Sequence, residues 1–373
     1  MKHPEPTPMR PLASAPTASS LLLKRRLGGL LGLGLLGLAF AHTAPAAKDA
    51  RSSTYAQDTR VSAFAKDWAA RHGVAAAPLV AELSRVQMRH DIVKLMTPSV
   101  QQRSKNWRIY RARFITRERV EAGRTFWEAH RPALKRAQQQ FGVDAHVIAG
   151  ILGVETQFGA NKGSVPALEA LVTLGFDFPA SHPKADQRQA YFRNELSEFL
   201  LLRLEQEQAS QSWQGSYAGA LGYPQFMPSS WRKWAIDFDG DGRVDLLNSP
   251  IDAIGSVANY LEQHGWVAGW PARWPAEVNR KTVRNLDVLL EHDILPKLTA
   301  SQLKEAGVKG VPPAVNNDTP LALVELLNGK NAPTYVIGTP NFYAITRYNQ
   351  SSYYALAVIE LGEAVANAVK ARP

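Results

Sequence analysis

The chain has 373 residues, of which 45% are hydrophobic and 20% are charged, and it contains no cysteine. This size and balance are typical of a folded protein with roughly two domains and exclude a disordered or fibrous chain. The lack of cysteine excludes disulfides, thiol nucleophiles, thiolate metal sites and a cysteine-linked lipid anchor. The basic residues that give the net charge of +10 are scattered, without interleaved aromatic residues, which argues against nucleic acid as a partner.

The N-terminal 46 residues have the pattern of a signal peptide. Basic residues at 24–26 precede an apolar run at 27–40, and small residues follow at 41 and at 44–46. The run is shorter than the roughly twenty residues that a membrane-spanning helix needs. We expect export and cleavage between residues 41 and 47, with an uncleaved anchor and twin-arginine export as alternatives. Removing residues 1–46 leaves 38 basic and 32 acidic residues, and this charge of +6 suits an anionic polymer or an ordinary solvated surface.

The sequence after this segment is mainly helical. Apolar residues recur at spacings of three and four over 76–90, 116–140, 166–174, 186–208, 228–236, 250–264 and 352–369. Between about 270 and 338, short apolar runs at 321–327 and 334–337 predict strands. The predicted fold class is mainly α (α+β). We expect a helical part at 47–140, a helical core at 141–270, a small α/β insertion at 271–339, and a segment at 340–373 that returns to the core.

One predicted helix carries a carboxylate on its apolar face. In the segment 143–159, VDAHVIAGILGVETQFG, Ile148, Ile151 and Leu152 form a helical stripe that Glu155 continues. Gly159 is the predicted helix stop, which places Glu155 in the last turn, where the helix dipole and desolvation both disfavour ionisation. Such a carboxyl group suits general acid catalysis. An ion pair with a buried arginine would explain the position equally well.

The segment 237–245, DFDGDGRVD, has the spacing of an EF-hand-like calcium loop, with Gly242 at the sharp turn. The twelfth position holds Asn248 in place of the usual glutamate, so we expect Asp252 in the next helix to complete the shell. The predicted ligands of a structural Ca²⁺ or Na⁺ ion are Asp237, Asp239, Asp241, the backbone carbonyl of Arg243, Asp245 and Asp252. A solvated acidic turn is the alternative, and no organic cofactor is expected.

Other catalytic motifs are absent from the sequence. It has no HExxH and no GxSxG, and the segment GANKGS at 159–164 does not match a phosphate-binding loop. These absences argue against a metalloprotease, a serine hydrolase and a nucleotide-binding protein. Glu155 therefore remains the strongest candidate for chemistry.

Several ordered segments carry a resemblance to one family: GVETQFG at 153–159, GYPQFMPSSW at 222–231, DFDGDGRVD at 237–245, PIDAIGSVANYLEQHGW at 250–266 and NFYAITRYN at 341–349. With them, the chain resembles the lytic murein transglycosylase B family over nearly all of the sequence after about residue 60. The resemblance implies a lysozyme-like helical core, a groove that accepts a glycan strand of peptidoglycan, and a periplasmic location. It also implies a soluble member of the family, since the cysteine of lipidated members is absent.

By the same resemblance, Glu155 donates a proton to the oxygen between N-acetylmuramic acid and N-acetylglucosamine. It then accepts a proton from the muramyl C6 hydroxyl, which closes on C1 and leaves a 1,6-anhydro end. The groove residues that the family's motifs imply are Tyr110, Arg188, Tyr191, Ser216, Gln225, Phe226, Tyr260, Asn341 and Tyr348. One departure is Gln187, which stands where relatives often carry a second arginine beside Arg188.

Two other functions stay open at this point. A hydrolytic muramidase would need a second carboxylate opposite Glu155, and Asp177 and Glu169 are the nearest candidates in sequence. A non-catalytic wall-binding scaffold would keep the groove without the chemistry. We expect peptidoglycan strands and cell-wall synthesis proteins as partners, and a monomer.

Overall fold

A computed structural model describes residues 54–98, 105–206 and 213–371. The predicted signal peptide, residues 1–46, lies outside these ranges. None of the helices within them combines the length and the apolar character needed to cross a membrane.

The N-terminal part of the described chain is helical. Asp58 caps the first helix, because its carboxylate accepts the backbone N–H groups of Arg60 and Val61, and Gly73 ends this helix with φ of +68°. The helices here are α1 (Thr59–His72), α2 (Ala76–Arg85), α3 (His90–Met96), α4 (Trp107–Ala112), α5 (Arg117–Ala129) and α6 (Arg131–Phe141).

Two of the predicted helical segments are each divided in the structure. The segment 76–90 contains only α2, which ends at Arg85, and α3 begins at the last residue of the segment. The segment 116–140 is broken at His130, since Pro132 cannot donate a backbone hydrogen bond and is instead accommodated in the first turn of α6, which begins at Arg131. Periodicity located the apolar faces here but not the breaks between helices.

The centre of the core is a helix pair. Helix α7 (Ala145–Thr156) packs along α15 (Ser352–Lys370), and the backbones meet at two glycines. A Cβ atom on Gly150 would lie 2.2 Å from the carbonyl oxygen of Val358, and one on Gly362 would lie 1.9 Å from that of His146. Only glycine permits this approach, which buries nearly every residue of α7.

Five further elements complete the helical core: α8 (Ala167–Phe176), α9 (Ala185–Glu205), α10 (Pro228–Trp234), α11 (Pro250–Gln263) and α14 (Pro340–Tyr348). A two-stranded ribbon, β1 (Val165–Pro166) with β2 (Gln214–Gly215), lies at the start of α8. Pro228, Pro250 and Pro340 each stand at the beginning of a helix, where the missing N–H group costs nothing.

The predicted insertion contains an antiparallel sheet in the order β3 (Arg273–Ala276), β6 (Asn331–Gly338), β5 (Pro320–Asn328) and β4 (Leu298–Thr299). The strands β5 and β6 include both predicted runs, 321–327 and 334–337, and are joined by a tight turn at Gly329. Two short helices, α12 (Leu286–Leu290) and α13 (Ala300–Ala306), pack with one face of the sheet to form a second, smaller apolar cluster. The prediction of a mainly helical protein with a small sheet is confirmed.

Candidate active site

Glu155 lies in the last turn of α7, as the sequence predicts, but the helix ends earlier than Gly159. The last helical residue is Thr156, and Gln157, Phe158 and Gly159 all follow with left-handed backbone angles, φ of 50°, 59° and 93°. The helix is therefore stopped by Gln157, two residues before the predicted position. The reversal brings the end of α7 abruptly to the surface of the core, with Glu155 half-buried there.

The surroundings of the Glu155 carboxylate are aromatic. The Tyr354 hydroxyl, on α15, donates a hydrogen bond of 2.6 Å to Oε1 of Glu155, and this tyrosine is only 1% exposed. Burial raises the pKa of Glu155 to about 7, against the opposing effect of the Tyr354 hydrogen bond. Burial raises the pKa values of Tyr110 and Tyr348, and the nearby negative charge of Glu155 raises both further.

No basic side chain among the described residues forms an ion pair with Glu155. The alternative of a structural pair with a buried arginine is therefore wrong for residues 54–98, 105–206 and 213–371. A half-buried carboxyl group with a tyrosine as its hydrogen-bond donor and a pKa near 7 is instead suited to both donate and accept a proton at neutral pH.

The segment 222–226 faces the end of α7 and is tied to it. The hydroxyl of Thr156 donates to the carbonyl oxygen of Tyr223 at 2.9 Å, and Tyr348 donates to that of Pro224 at 2.6 Å. Gln225 adopts φ of 52°, and its side-chain amide donates to the carbonyl oxygens of Lys162 and Gly222. The structure thus places Gln225 beside the site with its amide donors used by the backbone.

Three of the predicted groove aromatics pack together behind Glu155. The rings of Phe226 and Tyr260 lie 5.8 and 4.9 Å from that of Tyr348. Phe226 and Tyr260 are buried, and the Tyr260 hydroxyl donates to the carbonyl oxygen of Arg347 at 2.7 Å. Tyr348 is half-buried and connects this pair to Tyr354, whose ring lies 6.4 Å from its own.

Asn341 is fully buried, and its side chain is satisfied by the backbone. Its amide nitrogen donates to the carbonyl oxygens of Val267 and Trp270 at 2.8 and 2.7 Å, and its Oδ1 accepts the N–H of Val267 at 2.6 Å. With 0% exposure it offers no atom to a ligand in this structure. Asn341 therefore holds the turn after α11 in place. This role differs from the predicted contact with substrate.

A second group of predicted residues lies along the start of α9 and the ribbon. Arg188 and Tyr191 are half-buried on α9, and burial lowers the pKa of Arg188, which has no carboxylate partner among the described residues. The Ser216 hydroxyl accepts the backbone N–H groups of Ala218 and Ala220. Tyr217, which the sequence analysis did not identify, lies close enough to Arg188 to interact with it electrostatically.

The two carboxylates considered for a hydrolytic mechanism are engaged elsewhere. Asp177 accepts hydrogen bonds from the Tyr55 hydroxyl at 2.6 Å and from Arg60 at 3.1 Å. Glu169 pairs with Arg89 at 3.0 Å. Asp177 also lines a cavity of about 430 Å³ at the junction of α8 and α9 that does not include Glu155. Neither carboxylate is placed as a partner of Glu155.

The acidic loop brings fewer carboxylates together than the sequence predicts. Oxygen atoms of Asp237, Asp239 and Asp252 lie within 4.8 Å of one another. Asp241 and Asp245 lie outside this group of three; Asp241 accepts the N–H of Arg243, and Asp245 accepts those of Leu247 and Asn248.

Asp252 does join the cluster, as predicted from the presence of Asn248 where a calcium loop usually has glutamate. It is 1% exposed, and its two carboxylate oxygens accept the backbone N–H groups of Phe238, Asp239 and Asp245. A hard cation such as Ca²⁺ favours carboxylate oxygens of this kind, so the donor set fits the predicted ion.

The acidic loop is joined to the segment beside Glu155. The N–H of Tyr223 donates to the carbonyl oxygen of Leu246 at 2.9 Å, and the Lys162 ammonium donates to that of Leu247 at 2.6 Å. Lys162 also lies 4.5 Å from the centre of the Tyr223 ring. Through Tyr223 and Thr156, the loop is two hydrogen bonds away from the residue next to Glu155.

The structure thus has a helical core with a carboxyl group of raised pKa in the last turn of its central helix. The family model described as "Transglycosylase SLT domain" matches residues 56–363. The chain is 38% identical over 320 residues to the membrane-bound lytic murein transglycosylase B of Escherichia coli (strain K12), which covers 84% of each protein. The chain therefore belongs to the transglycosylase SLT domain family and is a lytic transglycosylase, as the sequence motifs predict.

Solved structures agree with this assignment. The lytic transglycosylase SltB1 from Pseudomonas aeruginosa superposes with a TM-score of 0.76 at 40% identity, covering 84% of this chain and 99% of that one. The lytic transglycosylase Slt35 of Escherichia coli, solved with calcium and with bulgecin A, has a TM-score of 0.75 at 38% identity and covers 86% of this chain and 96% of its own. The prediction of a lysozyme-like helical core is confirmed.

Proposed function

We propose that the protein cleaves peptidoglycan glycan strands between N-acetylmuramic acid and N-acetylglucosamine, leaving 1,6-anhydromuramic acid ends, with Glu155 as its catalytic acid and base. The observation that carries the assignment of Glu155 is its setting: a carboxyl group with a pKa of about 7, hydrogen-bonded by Tyr354 and unpaired with any basic residue of the described chain. At neutral pH a large fraction of this group holds its proton in the free enzyme.

In the first step, protonated Glu155 gives its proton to the bridging oxygen while the bond from muramyl C1 to that oxygen breaks. The N-acetylglucosamine leaves with the hydroxyl so formed, and positive charge develops at C1 and the ring oxygen. The Glu155 carboxylate that results lies beside this charge and stabilises it. Tyr354 remains hydrogen-bonded to Oε1 and partly offsets the cost of the buried negative charge.

In the second step, the carboxylate accepts the proton of the muramyl C6 hydroxyl as its oxygen bonds to C1. Glu155 is then protonated again, and no water is consumed. A glycosidase that uses water or a covalent intermediate needs a second carboxylate, and the ion pairs of Asp177 and Glu169 leave neither of them in that role. The muramyl C6 hydroxyl makes a second carboxylate unnecessary, because an intramolecular group has a very high effective concentration.

We further propose that the strand binds along the half-buried residues Tyr110, Arg188, Tyr191, Ser216 and Tyr348. Aromatic faces stack on sugar rings, and the Arg188 guanidinium, which lacks a carboxylate partner in the described chain, can bind a lactyl or peptide-stem carboxylate. The protein would act in the periplasm after removal of its signal peptide. A Ca²⁺ ion held by Asp237, Asp239 and Asp252 would stabilise the loop without taking part in the chemistry.

The experiment is a digest of purified peptidoglycan with the mature protein and with Glu155→Gln, followed by mass spectrometry of the muropeptides. The wild type should release products lighter by one water than hydrolytic muropeptides, and the variant should release none. Reducing ends would show a muramidase. Products that persist with Glu155→Gln would show that another group does the chemistry, and binding without cleavage by either protein would show a scaffold.

A further inference from the structure

The backbone that follows Glu155 is strained. Gln157 and Phe158 are non-glycine residues with φ of 50° and 59°, in the left-handed region that side chains with a Cβ atom disfavour. Two successive residues of this kind persist only where the surrounding structure holds them. The turn they form directly adjoins Glu155 and Thr156, so whatever holds it also fixes the end of α7.

The Phe158 side chain is held in a slot between two helices. A Cβ atom on Gly123 of α5 would lie 2.6 Å from Cζ of Phe158, and one on Gly153 of α7 would lie 2.5 Å from the same atom. The ring also packs against Phe126 at a centroid distance of 5.4 Å and is 9% exposed. A side chain at either glycine would overlap the Phe158 ring. Only glycine at these two positions leaves room for it.

The ring lies where it can oppose relaxation of the turn. Phe158 follows Glu155 by three residues, and its N–H donates to the carbonyl oxygen of Leu152, as does that of Gln157. The Thr156 hydroxyl, which accepts the N–H of Gly159 and donates to Tyr223, secures the other side of the turn. Withdrawing the ring would leave the strained residues free to return to ordinary angles and carry Glu155 with them.

We propose that Phe158 is a positioning residue for Glu155: its ring, inserted between Gly123 and Gly153, holds the left-handed turn that fixes the carboxyl group at the end of α7. This inference rests on the proposed role of Glu155. It predicts an effect on the chemical step and not on substrate binding, because the ring faces the helices. It also predicts that Glu155 becomes more exposed to water when the turn relaxes, which lowers its raised pKa.

The test compares Phe158→Leu with Phe199→Leu in the full mature protein. Phe199 is a matched control, since it is 0% exposed in the core and packs edge-on against Trp213 at 5.8 Å. We expect Phe158→Leu to lower kcat by roughly ten- to a hundredfold, as a small misplacement of a catalytic group can, with KM within about twofold of the wild type. The alkaline limb of its kcat–pH profile should move to lower pH. Phe199→Leu should lose stability but keep kcat and the pH profile.

Equal kcat losses in the two variants, or a loss confined to KM, would overturn the proposal. If Phe158→Leu does not fold, Gly153→Ala tests the same slot from its other wall, because its new Cβ would press on Phe158 and on Cδ2 of Leu361 at 2.8 Å. Gly153→Ala with unchanged kcat and pH profile would refute the positioning role. The products of the wild type and of Glu155→Gln report separately on the proposed function, so a failure there is distinguishable from a failure here.

Discussion

Replacing Glu155 by glutamine should stabilise the protein at neutral pH, and the effect should depend on pH in a defined window. Burial raises the pKa of this carboxyl group from 4.5 to about 7, so the native state holds a proton that the unfolded chain releases between these values. Stability therefore falls as pH rises through the window. At 1.36 kcal/mol per pKa unit, the wild type should lose about 3 kcal/mol relative to Glu155→Gln between pH 4.5 and a pH above 7.

The assay is urea unfolding of both proteins at closely spaced pH values from 4 to 8. The difference in the free energy of unfolding should be nearly constant at the acid end, grow in favour of the variant through the window, and level off above pH 7. Glu262→Gln, which alters an exposed carboxylate on α11, should show no such growth. A difference between wild type and Glu155→Gln that stays flat with pH would refute the claim that Glu155 is protonated by burial.

Three other changes have defined outcomes. In Tyr354→Phe, loss of the hydrogen bond that lowers the pKa of Glu155 should raise that pKa and move the alkaline limb of the kcat–pH profile upward, whereas a downward shift would contradict the assigned contact. Asn341→Ala should cost about 1–3 kcal/mol in urea unfolding, because it removes the three hydrogen bonds between this fully buried side chain and the backbone of Val267 and Trp270, and KM for glycan should stay unchanged; a raised KM with normal stability would restore the predicted substrate contact. Chelation with EGTA should lower the melting temperature of the wild type by several degrees, and Asp252→Asn should abolish that response; a wild type insensitive to EGTA would count against the ion.

The position of Glu155 could be predicted because it depends on local pattern. A carboxylate on an apolar stripe near the end of a helix can be read from spacing alone, and the motif segments identified the family. The helix end was misplaced because Gln157 and Phe158 adopt angles that favour glycine, and no sequence rule predicts two such residues together. Their conformation depends on Gly123, which is distant in sequence and reaches Phe158 only through the packing of α5.

Tyr354 shows why the tertiary contacts of Glu155 could not be predicted from the sequence. It lies 199 residues from Glu155, and in the sequence it is one aromatic residue on the apolar face of the final helix, where packing is the usual explanation. Only the close approach of α7 and α15 at Gly150 and Gly362 brings its hydroxyl to the carboxylate. Asn341 is the opposite case: a motif position that suggests a ligand contact but whose amide groups all bind backbone.

Hydrogen bonds join the acidic loop to the end of α7, where Glu155 lies. The carbonyl oxygen of Leu246, at the exit of the loop, accepts from Tyr223, and the carbonyl oxygen of Tyr223 accepts from Thr156 beside Glu155. A cation at Asp237 and Asp252 would fix the backbone at both ends of the loop, and this order would pass to segment 222–226 without any contact between ion and substrate. Loss of the proposed ion should therefore weaken the alignment of Glu155 as well as the fold, without any part for the ion in proton transfer.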